Sequence, residues 1–423
     1  MTGLPSSIDI AIIGAGAAGL GAAHALKGSG LSFVVLEARN RVGGRGHTIM
    51  AAPDITFDLG CGWLHSADRN SFVAIAEQLG FEVDKTLPPW SQRVVGKAFP
   101  PDEREDFFRA LHAFYDRAED AAQEAERDGR DRPADLSLEP GNRWNPMIDA
   151  ISTYVNGCEL DQVSILDMDA YEDTEINWRV RRGYGALMTA YGEALPIAFD
   201  CNVTLIDHAG QRIRIETSQG TITADKVIIT VPTNLIADEA IRFHPALPEK
   251  VDAAAKLPLG INNKVMLRLD EPQESSQLLP SDGNLRGATM RTATGGYHLR
   301  PFGQPCIEGF FGGSFARELD DAGEGALGAQ AIDEVVELLG SDYRRKLTAL
   351  AESRWAHDPF ARGAYSHALP GHADKRAVLA APVDNRLFFA GEATSPNFFS
   401  TAHGARDSGE RAAREVLKAL GKP

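Results

Sequence analysis

Cysteine is scarce in this chain. The 423 residues hold four, Cys61, Cys158, Cys201 and Cys306, scattered and without a CxxC pair. That spacing excludes a thiolate zinc site and a disulfide framework, and a reducing cytosol is the expected location. Positive charge is also short: 43 lysines and arginines stand against 59 acids, a net charge of −16. Phosphate backbones are neutralised by basic patches, so nucleic acid is not an expected partner. A negative field serves solubility first and the attraction of cations second. No run of 18 uninterrupted apolar residues exists, so no membrane span is expected. The first basic side chain is Lys27, and the early apolar run is broken by Gly14, Gly16 and Gly19, which does not suit a signal peptide. Internal repeats and low-complexity tracts are absent too. What remains is an ordinary globular composition, 43% hydrophobic and 24% charged, long enough for two domains.

Glycine is well represented, at 41 residues, and its placement is informative. The apolar, β-branched run 8–13 suits a buried parallel strand, and it leads into Gly14-Ala15-Gly16-Ala17-Ala18-Gly19. Gly14 permits a tight turn, Gly16 lets backbone approach a pyrophosphate, and Gly19 lets the next helix pack on the strand. That helix start, with Ala18 in it, offers free N–H groups to phosphate. A second strand over 33–36 ends at Glu37, 18 positions beyond Gly19. A carboxylate there can accept from both ribose hydroxyls and repels a 2′-phosphate, which disfavours NADP. The sequence continues Ala38-Arg39-Asn40-Arg41-Val42-Gly43-Gly44-Arg45. Paired glycines flanked by arginines suit a second approach to a diphosphate, with Arg41 and Arg45 as forked donors.

The glycine unit together with Arg41-Val42-Gly43-Gly44-Arg45 resembles the flavin amine oxidases: monoamine oxidases, polyamine oxidases and flavin-dependent histone lysine demethylases. The resemblance continues in Asp58-Leu59-Gly60-Cys61-Gly62-Trp63-Leu64-His65 and in Asn263-Lys264-Val265-Met266-Leu267. It returns in the segment from Trp355 to Tyr365 and closes with Phe389-Ala390-Gly391-Glu392-Ala393-Thr394 and Thr401-Ala402-His403-Gly404-Ala405. These matches run in the family's order from about residue 8 to about 413.

The resemblance implies an α/β fold of two domains: a Rossmann-like FAD-binding domain of the glutathione-reductase type, and a discontinuous substrate domain of mixed sheet plus helices. The FAD domain is expected over 1–82, 183–244 and 371–423, and the substrate domain over 83–182 and 245–370. It also implies roles. Gly60, Cys61, Gly62 and Trp63 pass near the flavin ring, and Val203 packs on the adenine. Glu392, after Gly391, lies near the ribityl and diphosphate region. Thr401-Ala402 opens a helix whose N–H groups face the flavin pyrimidine, where the reduced ring is anionic. Lys264, which on residues alone reads as a solvated strand start, becomes the lysine that holds a water on flavin N5 and assists the oxygen reaction. Trp355 and Tyr365 form an aromatic wall. Thr401 stands where monoamine oxidases have a second tyrosine, leaving Phe398, Phe399 and Trp178 as candidates for the missing ring. Ala364 replaces the cysteine that monoamine oxidases link to flavin, so FAD is expected to be non-covalent. His65 reads either as structural or as facing substrate. The acids Glu172, Asp173 and Glu175 read as a solvated face or as cation recognition at the entrance.

The activity so implied is oxidation of a small amine to an imine by hydride transfer to flavin N5, followed by dioxygen reduction to hydrogen peroxide. An amine dehydrogenase with another acceptor, a flavin desaturase or protoporphyrinogen-oxidase-like enzyme, and a non-catalytic flavoprotein stay open. A long inserted helical hairpin is not visible, which argues against histone demethylation, and no C-terminal anchor helix follows the last predicted helix. The amine and the oligomeric state, a homodimer included, are left open.

Local patterning predicts a helix over 104–127, with the stripe Phe107, Phe108, Leu111, Phe114, Tyr115, Ala118 and Ala122 as core. Further helices are predicted over 146–156, from 183 to near 196, and over 400–419. Strands are predicted over 203–206, 211–217, 220–223, 226–231 and 386–390.

Overall fold

A computed structural model of the chain describes residues 4–92, 94–95, 99–270 and 279–422. The apolar run at the N-terminus forms the strand Ser7–Ile13, buried on both faces in the middle of an eight-stranded sheet. It pairs in parallel with Phe33–Leu36 on one side and with Gly220–Ile229 on the other. Leu387–Phe389 also pairs in parallel with Gly220–Ile229. The predicted meander is present as Val203–Asp207, Ile213–Thr217 and Gly220–Ile229, joined antiparallel. The two strands expected over 220–231 are one continuous strand, because hairpin pairing at its start and parallel pairing at its end overlap in register.

Residues Ala17–Leu26 and Ala402–Ala419 form helices that pack on one face of this sheet, burying Leu20, Ala22, Ala412, Ala413 and Val416. The opposite face is covered by residues including Ile236, Ala253, Leu257 and Leu379. The helix expected from 183 to 196 ends at Gly192, and Ile197–Ala198 adds a short strand at the sheet edge beside Phe33–Leu36.

A second, five-stranded antiparallel sheet runs in the order 283–286, 296–299, 306–312, 262–269 and 347–352. The helices Gly313–Ala322 and Ala326–Leu339 pack on it. The helix Pro101–Asp128 forms a further layer, with Phe107, Phe114, Ala118 and Ala122 buried against Trp144, Met147 and Ile148. Phe108 and Leu111 pack against the same cluster while also lining a cavity, and Tyr115 lines the cavity and is exposed, which corrects the expectation that it is core. No helix among the described residues is long and apolar enough to cross a membrane. None of them forms a cluster of three or more His, Cys, Asp or Glu that could hold a metal ion. All four cysteines are free.

Candidate active site

One cavity of 1710 Å³ runs from the glycine turn after the first strand to the inner face of the five-stranded sheet. Ordinary ligand pockets are about 300–1,000 Å³, so this one has room for a dinucleotide and a further small molecule. Every residue expected from the sequence to act in catalysis or to hold cofactor lines it, except Gly19 and Arg41.

The nucleotide end is made mostly of backbone. Gly14 has φ +99°, which only glycine adopts freely. A Cβ on Gly19 would lie 1.9 Å from the Gly14 carbonyl oxygen, so Gly19 serves helix packing and has no reason to reach the cavity. A Cβ on Gly16 would meet nothing within 4 Å; it would project into the cavity. The Gly43-Gly44 turn docks onto this loop, with Gly43 N donating to the Ala15 carbonyl at 2.8 Å and Gly44 resting on the Gly16 Cα. Two glycine turns thus leave an open cradle at the start of the helix Ala17–Leu26, where free N–H groups favour an anion. Buried Glu37 accepts from Ala15 N at 2.7 Å and Arg39 N at 2.9 Å, which fixes its carboxylate at the cavity wall. Ala38, Arg39 and Val203 line the same end, and Arg39 is held by Asp358 and the Phe360 ring. Arg41 does not: its guanidinium donates to the Val42 and Gly44 carbonyls and braces the turn from behind, correcting its expected role as a forked donor. Arg45 does line the cavity, bonded to Glu392 at 3.0 Å and to the Ala364 carbonyl at 2.6 Å.

Glu392 follows Gly391 at the end of the last strand and is buried. Burial raises its pKa, but Arg45, a Ser366 hydroxyl bond and Arg376 lower it further, so it stays ionised. Thr401 is the N-cap of the helix Ala402–Ala419: its hydroxyl accepts from Gly404 N at 3.0 Å and donates to the Phe398 carbonyl at 2.7 Å. A second helix start therefore opens on the cavity.

Lys264 sits on the strand Asn262–Leu269 and is buried, not solvated. Its Nζ lies 3.2 Å from Glu308 Oε1 and 5.1 Å from the centre of the Phe310 ring. A Cβ on Gly62 would come within 3.2 Å of this ammonium, so the 60–62 loop passes directly over it. Glu308 is fully buried and also pairs with Arg179 at 3.0 Å. Burial pushes its pKa up, but Arg179, Lys264 and His298 outweigh that and hold the carboxyl at about 2. His298 continues the chain of contacts to Asp282 at 3.0 Å and stacks on Trp63.

Trp355 is buried, with Nε1 donating to the Leu59 carbonyl at 3.0 Å and its ring against Gly60. Tyr365 donates its hydroxyl to the Tyr154 carbonyl at 2.5 Å, and burial drives its pKa far up. Cys61 lines the cavity as a protonated thiol, pushed up to about 12 by burial. His65 Nδ1 bonds Asn177 Oδ1 at 2.6 Å, which assigns the proton to Nδ1 and leaves Nε2 with a lone pair. Burial lowers the His65 pKa, so the ring is neutral near pH 7. Of the proposed ring partners, Phe399 lines the cavity. Phe398 packs on His403, and Trp178 lies under Lys85, both away from it. Of the acids, Asp173 and Glu175 line the cavity, but Glu172 is tied outside it to Arg69 at 2.6 Å and to Asn397.

Arg179, Glu308, Asn177 and Tyr154 were not signalled by the sequence motifs. For Glu308 a signal exists: an acid in the otherwise apolar strand 306–312 is either misplaced or paired.

The sequence model of the family described as flavin containing amine oxidoreductase matches residues 17–417. Polyamine oxidase 4 of Oryza sativa subsp. japonica is 29% identical over 97% of this chain and 89% of its own length. Lysine-specific histone demethylase 1 homolog 3 of Arabidopsis thaliana is 26% identical over 97% of this chain but only 30% of its own length. A putrescine oxidase structure with bound putrescine superposes with TM-score 0.78 at 21% identity, covering 97% of this chain and 99% of that one. Cyclohexylamine oxidase from Brevibacterium oxydans superposes with TM-score 0.77 at 21% identity, covering 99% and 100%. With a family match across nearly its whole length, the chain belongs to the flavin containing amine oxidoreductases.

Proposed function

We propose that this enzyme oxidises a small amine to an imine with non-covalently held FAD and reduces dioxygen to hydrogen peroxide. One observation carries the reading: a single cavity joins the glycine cradle and Glu37 at one end to Lys264, Trp355, Tyr365 and a helix start at the other. The cradle fits a dinucleotide, because the Gly16 side-chain position is open space where a diphosphate could approach. When bound, FAD accepts a hydride from the amine's α-carbon and passes the electrons to dioxygen. Gly16, Gly44 and the helix start at Ala17 would hold the diphosphate, Glu37 the ribose, and the Thr401-Ala402 helix start the negative edge of the ring system. Ala364 offers no thiol, and the Cys61 thiol stays protonated, which supports a non-covalent cofactor. Residues 1–82, 183–244 and 371–423 would form the FAD domain, and 83–182 with 245–370 the substrate domain.

The chain's own groups divide the work. The aromatic surfaces of Trp355, Tyr365, Phe399 and Phe310 exclude water and lower an amine's pKa, favouring the neutral form whose lone pair assists hydride loss. His65, neutral and with an Nε2 lone pair, would accept a hydrogen bond from the substrate nitrogen. Lys264 supplies a fixed positive charge where negative charge develops on dioxygen, and Glu308 holds it in place.

Anaerobic mixing with a panel of amines tests the reading. Bleaching of the oxidised-flavin band near ~450 nm by one amine class, then rapid recovery on oxygen, is the expected result. Slow recovery would mark a dehydrogenase, and no bleaching with any amine would overturn amine oxidation. Lys264→Met should keep FAD but slow the oxygen step by about 10²-fold; an unchanged oxygen rate would remove that role from Lys264.

A further inference from the structure

The substrate side of the cavity holds a cation that no described carboxylate answers. Arg286 ends the strand Gly283–Arg286 and lines the cavity. Its guanidinium lies 5.3 Å from the centre of the Phe107 ring and 6.0 Å from that of Phe108. Among the described residues its buried Nε has no hydrogen-bond partner and the guanidinium pairs with no carboxylate. The buried arginines Arg179 and Arg376 are paired, with Glu308 at 3.0 Å and Asp167 at 2.5 Å, whereas half-buried Arg286 is not. Two residues before Arg286, Asn284 is only 7% exposed, lines the same cavity, and has an Nδ2 without a partner. A guanidinium is always charged, and leaving it half-buried, with its Nε out of water, beside an unused amide donor is costly. Aromatic faces recover only part of that cost.

Register places this pair relative to the reacting end. Arg286 lies opposite Gly296, Gly296 opposite Phe310, and Phe310 opposite Lys264. Residues directly opposite across antiparallel strands share a face, so all four stand in one row, and all four line the cavity. Three strand spacings separate Arg286 from Lys264, about 14 Å along the row. Between them stand Phe310 and Gly296, and the Tyr154 ring packs where Gly296 has no side chain. Glu37 and Glu392 line the cofactor side of the cavity, and of the other carboxylates that line it, Glu119, Asp169, Asp173 and Glu175, none pairs with Arg286; Glu119 is eleven residues beyond Phe108, about 16 Å along the helix.

We propose that Arg286 and Asn284 form a carboxylate-binding subsite. On the amine-oxidising reading above, on which this rests, the substrate is an amine bearing a carboxylate several methylenes from the oxidised carbon. The guanidinium fork and the Asn284 amide would share the two carboxylate oxygens. The alkyl chain would run from Phe310 along the Tyr154 ring, which packs on Gly296.

The test uses the FAD-loaded protein and four ligands of equal length: ω-aminooctanoate, octylamine, octamethylenediamine and octanoate. Calorimetry gives binding, and octanoate, which has no amine, reports the subsite without turnover. The wild type should bind ω-aminooctanoate about 10–100-fold more tightly than octylamine or the diamine. Arg286→Gln should erase that preference and the binding of octanoate, leave octylamine within about twofold, and Arg286→Lys should restore part of it. Equal or tighter binding of octylamine by the wild type, or an unchanged preference in Arg286→Gln, would overturn the proposal. If Arg286→Gln does not fold, the wild-type ligand series and Arg286→Lys decide alone. Arg286-dependent octanoate binding without bleaching by any amine would sink amine oxidation and leave the subsite standing. Bleaching by amines without a carboxylate preference would do the reverse.

Discussion

The two ends of the cavity are built from different material. At the nucleotide end the chain presents backbone: two glycine turns docked on each other and the helix start at Ala17, with Glu37 clamped by main-chain N–H groups. At the substrate end it presents side chains from strands distant in sequence, Lys264 and Arg286, with Glu308 and Arg179 paired behind Lys264. Backbone sites depend on shape and fail when a Cβ intrudes. Side-chain sites depend on charge balance and fail when one partner is removed.

The largest effect is expected where charge balance is most concentrated. Glu308→Leu leaves Arg179 and Lys264 buried without their shared carboxylate and should cost about 3–5 kcal/mol, read from urea unfolding at neutral pH. The acid arm sharpens this. The Glu308 pKa is held at about 2, below its ordinary 4.5. Its contribution is therefore fully present above 4.5 and fades as pH falls toward 2. The stability difference between wild type and Glu308→Leu should narrow over that window; a difference constant from pH 7 to about 2 would show that the pairing is not what Glu308 contributes.

A pair of glycine substitutions separates shape for folding from shape for ligand. Gly19→Ala drives a Cβ to 1.9 Å from backbone and should destabilise by about 2–3 kcal/mol. Gly16→Ala meets only open space, so the cofactor-free protein should keep its stability within about 1 kcal/mol while FAD binds at least about tenfold more weakly. Thermal melts and flavin titration of both variants check this; equal melting losses would break the distinction. The smallest effect belongs to the helix cap: Thr401→Ala removes the bond to Gly404 N and should cost about 1 kcal/mol in a thermal melt.

The same contrast explains what could be read in advance. A backbone cradle needs its glycines, its turn and its acid in sequence order, so its shape is legible in residues 14–19 and 37–45; the direction of Arg41 is not, because a side chain can reach either face of a turn. Lys264 was recognisable through the motif around it, but its burial was not, since its partner is 44 positions away on another strand. Tyr115 reads as core because a cavity wall and a packed core ask for the same apolar spacing. Arg286 and Asn284 carried no local signal at all. Their meaning lies in the cross-strand register, which periodicity along one strand does not contain.

The row from Lys264 to Arg286 also bears on how such an enzyme could diverge. Main-chain pairing sets its intervals, so the interval between reacting end and anchoring charge changes in whole strands, about 4.8 Å at a time. A basic residue at position 296 in place of one at 286 would suit a shorter ligand with no loop rebuilt. Descendants of this scaffold would then be expected to differ in chain-length preference by discrete jumps and to change it with one or two point substitutions.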